Sequence, residues 1–219
     1  MQNQTALTQK EVVSRQIAAS LLNIEAIRLR PDQPFQWSSG WKSPIYCDNR
    51  VSLSFPEVRT YIKNALAEAI KSEFPGAEIV AGVATAGIAQ GALVADVLRL
   101  PYSYVRPEPK KHGMGNQIEG RILKGQKVVV LEDLISTGGS SLKVVDVLRE
   151  AGAEVLGMAA IFTYGFQLAA DNFSEKNVKL VCLSDYDCLI SEALKLDFIE
   201  SSQLNTLSKW REDPSVWGV

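Results

Sequence analysis

The stretch Val128-Val129-Val130-Leu131-Glu132-Asp133-Leu134-Ile135-Ser136-Thr137-Gly138-Gly139-Ser140-Ser141 limits the possible folds more than any other part of the chain. Its branched and long apolar residues read as a buried strand with two carboxylates at its C-terminal end, followed by a loop of hydroxyls and glycines. An apolar-periodic helix is predicted over residues 142–151. In an open α/β sheet, ligands sit at the carboxyl ends of strands, beside helix N-termini. Backbone N–H groups freed by Gly138 and Gly139, with the hydroxyls of Ser136, Thr137 and Ser140, suit a phosphate at the positive end of the helix dipole. A phosphate cradle alone fits any nucleotide. The two acids before it narrow the choice, because carboxylates repel phosphate but suit sugar hydroxyls or a sugar-bound Mg²⁺. The stretch therefore reads as a site for a phosphorylated ribose.

The rest of the chain supplies the framework such a site needs. Thr8-Gln9-Lys10-Glu11 is a capping box, with Val13, Ile17 and Leu21 behind it at helical spacing. Ser54-Phe55-Pro56-Glu57 reads as a second box, opening a helix that Pro75-Gly76 stops. Strands are predicted at 27–29, 79–83, 102–105, 127–131, 155–162 and 180–183, and a helix of small and apolar residues over 87–98. Strands alternating with helices imply right-handed crossovers and an α/β fold, a mostly parallel sheet covered on both faces. The first fifty residues or so lack this rhythm and are expected to form a small cap beside the sheet.

At 219 residues, 46% of them hydrophobic, the chain suits one large domain with a substantial core. A formal net charge of -2 gives no overall nucleic-acid footprint. Cys47, Cys182 and Cys188 are an odd number with no C-x-x-C pair, so reduced thiols are expected. The polar N-terminus and the absence of any transmembrane-length apolar run point to a cytoplasmic protein without membrane contacts. Neither G-x-x-x-x-G-K-[ST] nor G-x-G-x-x-G occurs, so the phosphate loop is of neither common nucleotide-binding kind.

Three further segments carry chemistry. Arg106-Pro107-Glu108-Pro109-Lys110-Lys111-His112-Gly113-Met114-Gly115-Asn116 follows a strand and packs cationic or titratable groups into a short run ahead of two glycines. Most charge runs are solvated faces, but a mobile cationic lid also suits a leaving group whose negative charge grows. Gly82-Val83-Ala84-Thr85-Ala86-Gly87 is a tight strand-to-helix turn. Phe35-Gln36-Trp37-Ser38-Ser39-Gly40-Trp41-Lys42-Ser43-Pro44-Ile45-Tyr46-Cys47-Asp48-Asn49-Arg50 reads by composition as an aromatic turn entering a short strand.

Residues 131–140 resemble the motif by which type I phosphoribosyltransferases bind 5-phosphoribosyl 1-diphosphate (PRPP), and the resemblance spans roughly residues 10–170. It implies that family's fold, with residues 1–50 as a helix and hood over the base and 51–219 as the PRPP-binding core. It assigns Glu132 and Asp133 to the ribose hydroxyls, with Mg²⁺ held through PRPP rather than by direct protein ligands. Leu134, Ile135, Ser136, Thr137, Gly138, Gly139 and Ser140 complete the PRPP site, and Thr85 and Ala86 contact pyrophosphate mainly through backbone. The S-G-x-K-S-P-x-Y segment and the R…K-x-H-G loop resemble those of orotate phosphoribosyltransferases. They imply orotate contacts at Tyr46, Cys47, Lys42 and Ser136, and catalytic loop residues Arg106, Lys110 and His112. A homodimer is implied, with loop 106–116 reaching the neighbouring active site. Transfer to another base, or a catalytically idle relative that senses PRPP and binds nucleic acid, are the alternatives; the hood counts against the first and the net charge against the second.

Overall fold

A computed structural model of the chain describes residues 7–36, 40, 42–108 and 117–217. The Thr8 capping box is formed: the Thr8 hydroxyl oxygen accepts the Glu11 N–H, and the Glu11 carboxylate accepts the Thr8 N–H. Helix α1 (Gln9–Asn23) runs from it. Two short antiparallel pairs follow, β1 (Ile27–Leu29) with β4 (Ile45–Cys47) and β2 (Phe35–Gln36) with β3 (Lys42–Ser43). A 3-10 turn over Asn49–Ser54 then leads into α2 (Pro56–Glu73). Pro56 opens that helix as expected, but Ser54 does not cap it. The turn absorbs Ser54, so Phe55 takes the N-cap position and makes no side-chain cap bond.

The chain continues through β5 (Ile79–Val83), α3 (Gly87–Leu98), β6 (Tyr102–Val105), β7 (Ile118–Glu119), β8 (Lys127–Ile135), α4 (Gly139–Glu150), β9 (Glu154–Thr163), α5 (Gln167–Glu175), β10 (Leu180–Asp185), α6 (Tyr186–Lys195) and α7 (Leu204–Glu212); the expected alternation holds except between β6 and β8, where the short antiparallel β7 and no helix lies among the described residues. The sheet order is β10-β9-β8-β5-β6-β7, parallel throughout except for the β6–β7 pair. Both faces are covered. In β8, Val129 and Leu131 pack into the core formed with α1 and α2, while Val128 and Val130 join the core under α4 and α5. That two-sided burial is why the strand reads as a continuous apolar run.

Two boundaries near the acids differ from the sequence expectation. Strand β8 does not stop at Leu131 but continues through Glu132 and Asp133 to Ile135, because its parallel pairing with β9 holds as far as Ile135 opposite Thr163. Helix α4 starts at Gly139 rather than at 142. The residue before it, Gly138, has φ 78° and lies against the Phe173 ring, so both backbone conformation and space require glycine there.

The C-terminal helix is part of the core. Trp210 of α7 is fully buried, with its ring centroid 5.5 Å from Tyr164, 5.4 Å from Phe166 and 5.5 Å from Tyr186. Truncating a buried Trp costs about 3–5 kcal/mol in lost contacts and cavity. Trp210→Ala should therefore lower the unfolding free energy by about that amount in urea titrations. A loss below about 1 kcal/mol would mean that α7 is peripheral.

Candidate functional site

Chain order reverses direction between β5 and β8: β6 and β7 lie to one side of β5, and β8, β9 and β10 to the other. Such a switch point opens a crevice at the carboxyl ends of the two strands. Two strand-to-helix loops meet there, residues 84–86 after β5 and 136–138 after β8. The Ala84–Thr85 peptide in the first is cis. The helices they open, α3 and α4, have Ala86 and Gly138 as N-cap residues, and neither makes a side-chain cap bond. Each helix thus leaves the N–H groups of its first turn without a side-chain acceptor, at the positive end of its dipole. A side chain at Gly87 would collide with the Leu131 carbonyl, and only this close packing lets α3 start beside the strand that carries the acids.

Glu132 is buried, its Oε2 accepting from Ser141 Oγ at 2.8 Å and its Oε1 from the Asp133 N–H at 3.0 Å. Burial, reinforced by the charge of Asp133, pushes the Glu132 carboxyl up to about 8. Burial also raises Asp133, opposed by hydrogen bonding with Glu132, by the Leu134 N–H and by the Arg50 charge. The pair resists carrying two negative charges until cations or hydroxyl donors arrive.

The remaining site residues divide by position. Thr85, Gly139 and Ser140 are exposed, while Ala86, Ser136 and Thr137 are half-buried around the two loops. The 136–138 loop is held from behind by Asn172 of α5, whose Nδ2 donates to the Thr137 carbonyl at 2.9 Å. Ile135 is fully buried and Leu134 packs against the core, so both present backbone rather than side chain to the crevice. On β4, Cys47 is half-buried and its thiol donates to Asn49 Oδ1 at 3.5 Å. Burial first, then the charges of Asp133 and Asp48, push that thiol well above its ordinary value, so it stays neutral. Tyr46 lies on the exposed side of β4, where the Arg28 guanidinium sits 5.0 Å from its ring centroid. Lys42 is exposed on β3. Arg106 stands at the foot of the β6–β7 connection and pairs with Glu119 at 3.6 Å. Lys110 and His112 lie outside the described residues. No group of three or more His, Cys, Asp or Glu suited to a metal ion occurs among the described residues.

Several contributors had little signal in the sequence. Ser141, Asn172 and Asn49 act through contacts that no local motif records. So does Arg211 of α7, whose Nε and Nη2 both donate at 3.3 Å, to the carbonyls of Tyr164 and Gly165 in the loop after β9.

A family model described as a phosphoribosyl transferase domain matches residues 53–187. The chain is 58% identical over 204 residues to an orotate phosphoribosyltransferase of Cytophaga hutchinsonii, covering 93% of this chain and 98% of that protein. It is 60% identical over 199 residues to one of Bacillus pumilus, covering 91% and 94%. The chain belongs to the orotate phosphoribosyltransferase family. Among solved structures, the orotate phosphoribosyltransferase of Aeropyrum pernix superimposes with a TM-score of 0.72 at 32% identity, over 84% of this chain and 99% of that one. The mostly parallel, helix-flanked sheet expected from the sequence is thus the type I phosphoribosyltransferase fold.

Proposed function

We propose that the protein transfers phosphoribose from PRPP to orotate, giving orotidine 5′-phosphate and pyrophosphate on the route to UMP. The observation that carries this reading is the meeting of two uncapped helix N-termini and a buried acid pair in one crevice of a chain from this family. The start of α4 suits the 5′-phosphate, and the start of α3, at Thr85 and Ala86, suits the pyrophosphate. Glu132 and Asp133 between them suit the ribose hydroxyls, which donate to carboxylates. The base then lies between Ser136 and the hood residues Tyr46, Cys47 and Lys42.

The chemistry is displacement at the anomeric carbon through an oxocarbenium-like state. The anionic orotate nitrogen forms the new bond as the bond to pyrophosphate oxygen breaks and its electron pair leaves with that oxygen. No protein nucleophile is needed, so the chain's task is positioning, charge stabilisation and exclusion of water. Arg106, Lys110 and His112 supply positive charge to the departing pyrophosphate. A Mg²⁺ ion would fit beside these two carboxyls, which no third His, Cys, Asp or Glu joins among the described residues, since this ion is bound largely through substrate oxygens and water. When bound on PRPP it offsets the charge of the pyrophosphate.

In this reading, residues 1–50 supply the N-terminal helix and the hood segment over the base, and residues 51–219 the PRPP-binding core. A homodimer, with loop 106–116 reaching the neighbouring site, is supported by the position of β6 and β7, the strands that this segment joins, at one edge of the sheet. A cytoplasmic setting is supported by three free cysteines, and no described helix is long and apolar enough to cross a membrane.

The test is consumption of the base, followed by ultraviolet absorbance with PRPP and Mg²⁺, for orotate against uracil, hypoxanthine and adenine. Orotate should turn over at least about 10³-fold faster in kcat/KM, because a site built for a carboxylated base leaves polar groups unpaired around the others. Turnover of another base with none of orotate would overturn the assignment.

A further inference from the structure

Asn49 lies at the end of the hood segment with no role assigned to it, yet its buried side chain joins two segments far apart in the chain. Its Nδ2 donates to the Asp133 carbonyl at 2.8 Å, and its Oδ1 accepts the Cys47 thiol at 3.5 Å. The Asn49–Ser54 turn does not need that side chain for its own closure. Asp48 caps the turn by accepting the Arg50 N–H, and Ser52 Oγ donates to the Asn49 carbonyl at 2.6 Å. Gln90 of α3 extends the connection, its Nε2 donating to Ser52 Oγ at 3.3 Å. Strand β5 pairs with β8 only as far as Leu131, so the Asp133 carbonyl lies beyond the end of that ladder, where Asn49 meets it.

We propose that Asn49 is a positioning residue that couples the base and ribose subsites, holding the Asp133 backbone with one end of its amide and the Cys47 segment of the hood with the other. The proposal rests on the reading of Glu132 and Asp133 as ribose contacts and of the 46–47 strand as a base contact. A planar amide bonded at both ends transmits displacement: when ribose hydroxyls draw the Asp133 carboxylate into place, the carbonyl behind it is fixed, and so is Asn49. The hood segment is then ordered before the base arrives. Ordering paid for by the first ligand is not paid again by the second, which is positive cooperativity between subsites.

The experiment is calorimetric titration of orotate, without and with saturating ribose 5-phosphate, a sugar phosphate that lacks the leaving group and cannot react. Ribose 5-phosphate should tighten orotate binding by about tenfold in the unsubstituted protein, within the usual range of coupling between sites. In Asn49→Ala and in Asn49→Asp, the latter keeping the acceptor for Cys47 but losing the donor to Asp133, the factor should fall below about twofold. A distant core substitution in α2, Ile62→Val, controls for general loosening and should keep the full factor while lowering Tm. Either Asn49 variant retaining the full factor, or no coupling in the unsubstituted protein, would overturn the proposal. Failure of both ligands to bind that protein would overturn the substrate assignment itself, a separate and distinguishable result.

Discussion

Lys110→Ala is expected to lower kcat by about 10²–10³-fold while the Kd for PRPP stays within about tenfold of its original value. The asymmetry follows from where the charge is. PRPP already carries its diphosphate charge in the ground state, and a lysine ammonium contacting it there gains little over water. As the anomeric bond breaks, a further negative charge collects on the departing oxygen. A cation that meets it in a closed, water-poor site acts on the transition state more than on the substrate. Arg106, at the foot of the same loop, already has the Glu119 carboxylate beside it, so more of the burden falls on the loop's other cations. Steady-state rates and equilibrium titration of PRPP together give the split. A kcat within about threefold of the unsubstituted enzyme would remove Lys110 from the mechanism.

The second large effect is a trade of function for stability at Glu132. Burial and the Asp133 charge raise its pKa in the folded protein to about 8, from an ordinary value of 4.5. For a carboxyl raised on folding, the sign is fixed. Its favourable contribution is whole below the unfolded value and is lost as pH climbs through the folded one. The ligand-free protein should therefore lose stability between about pH 4.5 and 8 on account of this group. Glu132→Gln, neutral throughout, removes that loss. It should be more stable than the unsubstituted protein at pH 8 by on the order of 2 kcal/mol, or about 4–8 °C in Tm, with no advantage at pH 4.5. The same change should weaken PRPP at least about tenfold, because an amide accepts ribose hydroxyls less strongly than a carboxylate does. PRPP affinity should rise towards pH 8 in the unsubstituted protein as Glu132 ionises, and that rise should flatten in the variant. Equal Tm in the two proteins at pH 8, with unchanged PRPP affinity, would make Glu132 an ordinary buried acid.

The parts of this site that were legible in the sequence are those governed by local rules. The Thr8–Glu11 box, strand β5, helix α3 and strand β6 follow from periodicity and capping, and they fall where those rules put them. The misplaced boundaries mark where tertiary pairing overrides local preference. Glu132 and Asp133 are poor strand formers, yet β9 pairs alongside them and carries the strand on to Ile135. The small hydroxyl residues after them look like loop, yet a left-handed Gly138 starts the helix among them. Contacts with no sequence spacing at all stayed invisible. Asn49 reaches Asp133 across 84 positions, and α7 returns from the far end of the chain to bury Trp210 against Tyr164. Residue chemistry suggested a site for phosphorylated ribose; only the fold shows how its two loops come to face one crevice.

Hydrogen exchange read by mass spectrometry reports on anion binding in that crevice. Adding PRPP with Mg²⁺ should slow exchange at residues 84–88 and 136–141 together, since both helix N-termini gain an anion on the same binding event. The groove of about 570 Å³ between α1, α2 and β10, lined by residues such as Val13, Tyr61 and Leu183, should be unaffected. Protection at that groove with none at the two loops would contradict the assignment.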